Sequence, residues 1–170
     1  MVKTIKSIKE ITADNLEPGL FLIDDGEEEN QTSTAANIAF SLAVDNRIPT
    51  VLFSLEKKED DIVGDLLTIL LSRYTDNIAG LAKAPQSEWD KAKNGIITLS
   101  EAPLFIDDSL DLSIDEMHTL AKVIISEQKV LVFIIDGIHL LEEENPIKHL
   151  EEMAADLKVT IIALQKHNTQ

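Results

Sequence analysis

Short, nearly unbroken apolar runs recur along the chain, at 20–24, 50–54, 103–107, 130–136 and 159–164. Runs of this kind predict strands buried on both faces, as in a parallel sheet. Between them apolar residues return at helical spacing. The stretch 32–44 predicts a helix after the first run, and 58–73 the next, with Ile62, Leu66, Ile69 and Leu70 on one face. Ser87, with Asp90 three residues on, reads as a helix start before 89–97. Ser113 and Glu116 form a capping-box pattern ahead of 117–127. Asn145-Pro146 supplies an N-cap and a first-turn proline for a helix carrying Ile147, Leu150, Ala154 and Leu157. The order β-α-β-α-α-β-α-β-α-β predicts an α/β domain, a parallel sheet with helices on both faces. Ligands in such sheets bind beyond the carboxyl ends of the strands. That edge carries Asp24, Asp25, Glu56, Asp107, Asp108, Asp136 and Gln165.

Composition narrows the choices. The chain has 170 residues and 44% hydrophobic content, which fits one folded domain and excludes disorder. The predicted α/β core spans 18–168, with 1–17 as a loosely packed lead-in. Acidic residues number 31 against 15 basic ones, a net charge of −16, which repels nucleic acid and anionic membranes. Cysteine is absent, which removes disulfides and thiol chemistry. The N-terminal residues do not read as a signal peptide, and no apolar run reaches the ~18 residues of a membrane span. The expected location is the cytoplasm. The histidines, His118, His139, His149 and His167, share no metal-ligand spacing. His118 and His149 are expected on helix surfaces, and His139 and His167 near the sheet edge. Trp89 is expected to pack within its helix.

Several of these segments together resemble the ATPase domain of DnaB-type replicative DNA helicases, a branch of the RecA-like family. Leu16-Glu17-Pro18-Gly19 is similar to that family's turn into its first strand. Residues 49–67 resemble its second strand and following helix, and 100–117 match most closely. VLVFIIDGIHLL at 130–141 resembles a Walker B strand ending on Asp136, and 150–168 resembles the last helix and strand of the nucleotide site. The resemblance implies a three-layer RecA-like fold of the P-loop NTPase type. Its mostly parallel sheet would have five core strands in the order 5-1-4-3-2. It also implies that Asp136 is the magnesium-associated acid and that Glu56 activates the attacking water. The family's glutamine falls at Lys166, with Gln165 one residue early.

The phosphate loop departs from the pattern. A P-loop reads G-x-x-x-x-G-K-[ST]: glycines turn backbone N–H groups onto phosphate, lysine neutralises it, and the hydroxyl holds magnesium. Counting from the strand aligns Gly26, Gln31, Thr32 and Ser33 with these positions. Counting back from Asn37 aligns Asn30, Gln31 and Thr32 instead. Neither register has a lysine, and none occurs between Lys9 and Lys57. Glu27, Glu28 and Glu29 stand there, set to repel a triphosphate and to cap the following helix from inside the chain. The segment after Walker B, Glu142-Glu143-Glu144-Asn145, has the wrong sign to touch DNA. The chain ends just past the fifth strand, before the arginine that the family extends to a neighbour's nucleotide.

The expectation is therefore a degenerate, truncated domain. It would be a pseudo-ATPase without a cofactor, binding a protein partner that is another copy of itself or a RecA-like helicase subunit. It would bind neither nucleic acid nor membrane. One alternative is a divergent DNA-replication ATPase that uses ATP with Mg²⁺ through Glu56 and Asp136. Another is a divalent-ion site of Asp24, Asp25, Asp107 and Asp136, since hard cations take several oxygens. A strand-ending Asp136 that merely faces solvent is the plain alternative to both.

Overall fold

A computed structural model of the protein describes residues 2–5, 8–24 and 33–166. Strands β1 (Val2–Ile5), β2 (Gly19–Asp24), β3 (Thr50–Ser54), β4 (Leu104–Asp107), β5 (Val132–Asp136) and β6 (Thr160–Gln165) form one sheet. Their order is β1-β2-β6-β5-β3-β4, and every pairing is parallel. The connecting helices are α1 (Thr34–Ala39), α2 (Glu59–Leu71), α3 (Gln86–Ser100), α4 (Ile114–Gln128) and α5 (Pro146–Leu157). Beyond Ala39, α1 runs on as a π-helical stretch, Phe40–Asp45.

The near-continuous apolar runs explain the layers. Successive strand side chains point to opposite faces, so a fully apolar strand feeds two cores. Phe21, Ile23, Leu52, Ile134 and Ile162 join Ile38, Phe40, Ile62 and Leu66 of α1 and α2 on one side. Leu20, Leu22, Val51, Phe53, Phe133, Ile135 and Ile161 join Met117, Leu150 and Met153 of α4 and α5 on the other. Phe53 and Phe133 stack with ring centroids 6.1 Å apart.

Three expectations are corrected. The sheet has six strands, because the lead-in contributes β1. Lys3 lies over the Phe21 ring and pairs with Glu17, while Ile5 and Ile11 enter the core. The strand order also differs from 5-1-4-3-2. Numbering the five expected strands in sequence, the last lies between the first and the fourth, and the third lies at the edge. Burial accounts for both placements. Residues 160–164 of β6 and all of β3 are buried and belong inside the sheet. The four-residue β4 leaves Phe105 exposed, as an edge strand does. Finally, α3 begins at Gln86 with Pro85 as its cap residue, so Ser87 lies inside the first turn. Gln86 instead donates to Asp90 one turn on, at 3.0 Å.

Candidate functional site

A parallel sheet brings all its strand carboxyl ends to one edge, and each helix that follows a strand begins there too. Register places Ser54 opposite Asp136 and Asp136 opposite Leu164. Asp136 is 6% exposed, which overturns the plain reading of an aspartate facing solvent. Glu56, two residues past β3, reaches across the same edge. Its Oε1 lies 3.0 Å from His139 Nε2, and its Oε2 lies 3.0 Å from Lys166 Nζ. The structure thus brings Glu56 and Asp136 to neighbouring strand ends and adds His139 and Lys166 to them.

At the start of α1, Ser33 is the N-cap. Its Oγ accepts the Ala36 N–H at 3.2 Å, and the residue is buried. The Ser33 N–H donates to Asp65 Oδ2 at 3.1 Å, and Lys57 Nζ lies 3.2 Å from that same oxygen. An anion is therefore already placed against the first turn of α1, where the helix dipole favours one. It comes from α2. Gly26, Asn30, Gln31 and Thr32, together with Asp25 and the expected capping acids Glu27–Glu29, lie outside the described residues.

Other edge carboxylates behave alike. Asp108 Oδ2 accepts the Glu59 N–H at the start of α2, at 3.0 Å. Glu143 Oε1 accepts the Ile114 N–H at the start of α4, also at 3.0 Å. Asp107 closes its own turn by accepting the Ser109 N–H at 2.9 Å. Charge-assisted bonds from carboxylate to backbone N–H are strong ones. The acidic rim thus caps the helices that begin beside it. Among the described residues no three Asp, Glu or His side chains gather in a way that could hold a metal ion. Sheet order separates Asp24, Asp107 and Asp136: β2 and β4 each lie two strands from β5, about 10 Å at the usual strand spacing.

The sequence of residues 20–170 matches the family described as DnaB-like helicase C terminal domain. The chain belongs to that family. The replicative DNA helicase DnaB of Nostoc sp. is 27% identical to this DnaB-like domain over 147 residues, covering 80% of this chain and 17% of the relative. DnaB of Buchnera aphidicola is 28% identical, over 81% of this chain and 32% of the relative. DnaB of Treponema pallidum is 24% identical, over 90% of this chain and 38% of the relative. The chain thus spans well under half the length of these relatives. Among solved structures, a helicase-type ATPase domain matches with a TM-score of 0.67 at 22% identity, over 91% of this chain and 59% of the other. A DnaB-like replicative helicase studied for its interactions with primase matches with a TM-score of 0.68 at 21% identity, over 92% of this chain and 42% of the other. Together the structural matches show a RecA-like DnaB ATPase fold.

Asp65 and Lys57 were not singled out from sequence. The available signal was an aspartate in α2 between Ile62 and Leu66, where a buried helix face leaves little water for a carboxylate. The histidines divide as expected where they are described. His118 pairs with Asp156 and His149 with Glu143, each at 2.8 Å, along a groove of about 650 Å³ between α4 and α5. The His118 hydrogen bond, with Lys122 nearby, holds the Asp156 carboxyl below its ordinary range. His139 stands at the sheet edge, and His167 lies outside the described residues. No helix among the described residues is long and apolar enough to cross a membrane.

Proposed function

We propose that this DnaB-like domain is a pseudo-ATPase, kept as a protein-binding or regulatory module. The observation that carries the reading is the start of α1, where Asp65 takes the Ser33 N–H and Lys57 neutralises Asp65. Phosphate oxygens bound there would have to displace an internal carboxylate beside a loop whose sequence holds three consecutive glutamates and no lysine. Two unit charges about 4 Å apart interact by roughly 4 kcal/mol at an effective dielectric near 20. The residues present therefore do not fit Mg–ATP, and no catalytic step is assigned to it. A protein partner is supported by the outward face of α3, where Trp89, Ile96 and Ile97 are exposed side by side in helical spacing. The partner we favour is a RecA-like helicase subunit or a second copy of this chain, in the cytoplasm. Calorimetric titration with Mg–ATP tests the reading: affinity no better than millimolar is expected, and micromolar binding would overturn it.

A second reading is a divergent DnaB helicase ATPase. It is favoured by Glu56 and Asp136 standing at paired strand ends, the placement an acid pair around a nucleotide needs. The same titration, followed by a phosphate-release assay, separates the two.

A further inference from the structure

Beyond their last paired residues, three strands remain stitched together. Leu55 N–H donates to Asp136 O at 3.0 Å, and Gly137 N–H donates to Leu164 O at 3.2 Å. Side chains continue the stitching one layer further out. His139 stands on the 3₁₀ turn that follows β5, Lys166 follows β6, and both reach the Glu56 carboxylate, one to each oxygen. A third bond closes the ring: the Lys166 backbone N–H donates to His139 Nδ1 at 3.4 Å. It also fixes the imidazole tautomer. With Nδ1 accepting, Nε2 carries the hydrogen and donates it to Glu56 Oε1.

The backbone makes room for this arrangement. Gly137 has φ +92°, and a Cβ built on it would lie 2.8 Å from Glu56 Cγ. The Glu56 side chain is 16% exposed and that of His139 is 21% exposed, so water competes weakly for either.

We propose that His139 and Lys166 are positioning residues for Glu56. They turn the place where the family resemblance puts a water-activating acid into a strut that fastens β3 to β5 and β6. To accept a proton from water, Glu56 would first have to give up one of its two donors, since a base must lie within hydrogen-bond reach of the proton it takes. The inference deepens the pseudo-ATPase reading and rests on it only for what Glu56 would otherwise do.

Two measurements on the full chain test the clamp. Nitrogen-15 spectra of His139 should show one tautomer, Nε2–H, with the Nδ1 shift of an accepting nitrogen. A double-mutant cycle of Glu56→Gln with Lys166→Met, read by urea unfolding, should show coupling above about threefold in the unfolding constant, beyond what additive sites give. Lys166→Arg should restore most of it. Averaged tautomers, or coupling below that threshold, would overturn the clamp. If Glu56→Gln does not fold, the His139 spectrum of the unsubstituted chain decides alone. Micromolar Mg–ATP binding with the single tautomer intact would sink the pseudo-ATPase reading and leave the clamp standing. Averaged tautomers with no nucleotide binding would do the reverse.

Discussion

Gly137 leaves β5 in the left-handed region, at φ +92°, and the space its missing Cβ vacates is filled by the Glu56 side chain. Both facts bear on one substitution. Gly137→Ala strains the backbone and pushes Glu56 off His139, so it should destabilise the fold by about 1–3 kcal/mol. Urea unfolding measures this, and an unchanged midpoint would show that the turn and Glu56 do not press on each other. Asp65 offers a second case. Asp65→Ala leaves the Ser33 N–H without its acceptor and Lys57 without its anion, a loss of about 1–3 kcal/mol. Asp65→Asn keeps an acceptor and should cost less; equal losses would show that the N–H bond contributes nothing. At this scale the sequence was half legible. Glu56, Asp136 and Lys166 stood out because strand ends and motif order mark them. The pairings made by Asp65 and His139 did not, because their partners lie 32 and 83 positions away in the chain, at Ser33 and Glu56. Such pairings exist only once the sheet is ordered.

Helix starts are where element and rim meet. Ser113 accepts the Glu116 N–H, and Glu116 accepts the Ser113 N–H at 2.9 Å, the reciprocal pair that the sequence pattern announced. Ser113→Ala should cost about 1 kcal/mol. The pH dependence of that loss follows from Glu116, whose carboxyl is held below its ordinary range by the Ser113 backbone N–H and then by the Ser113 hydroxyl. A folded-state value below the unfolded one gives stability above the unfolded value, lost as pH falls through the folded one. The gap between the parent and Ser113→Ala should therefore be full at neutral pH and shrink below the carboxylate range. A gap independent of pH would show that Glu116 takes no part in the cap. The same local logic made four of the five helix starts readable within a residue or two, and it failed at Ser87, where Pro85 set the start of α3 instead. Strand identity was readable from continuous apolar runs, whereas strand order was not. Five similar apolar runs carry no label for neighbours, and β1 escaped notice because its four residues bury only Ile5.

The whole molecule carries a net charge of −16, with much of the acid placed at one edge of the sheet. Part of that acid is internal to the fold: Asp65, Asp108 and Glu143 each accept a helix-start N–H. Part faces water and sets the long-range field. DNA binding draws most of its strength from counterions released when cations neutralise phosphates. Here 15 basic residues face 31 acidic ones, and several of the cations are already paired: Lys3 with Glu17, Lys57 with Asp65, Arg73 with Asp45 and Lys166 with Glu56. A phosphate backbone approaching any face would meet repulsion that salt screens within about 8 Å at physiological ionic strength. The isolated chain should therefore form no saturable complex with single-stranded oligonucleotides, even at low salt. Fluorescence anisotropy with a labelled oligonucleotide is the direct measurement. A saturable rise that weakens with added salt would reveal a cationic track that the charge count hides. It would also reopen the helicase reading, since the domain would then hold the substrate that a pseudo-ATPase module has no cause to touch.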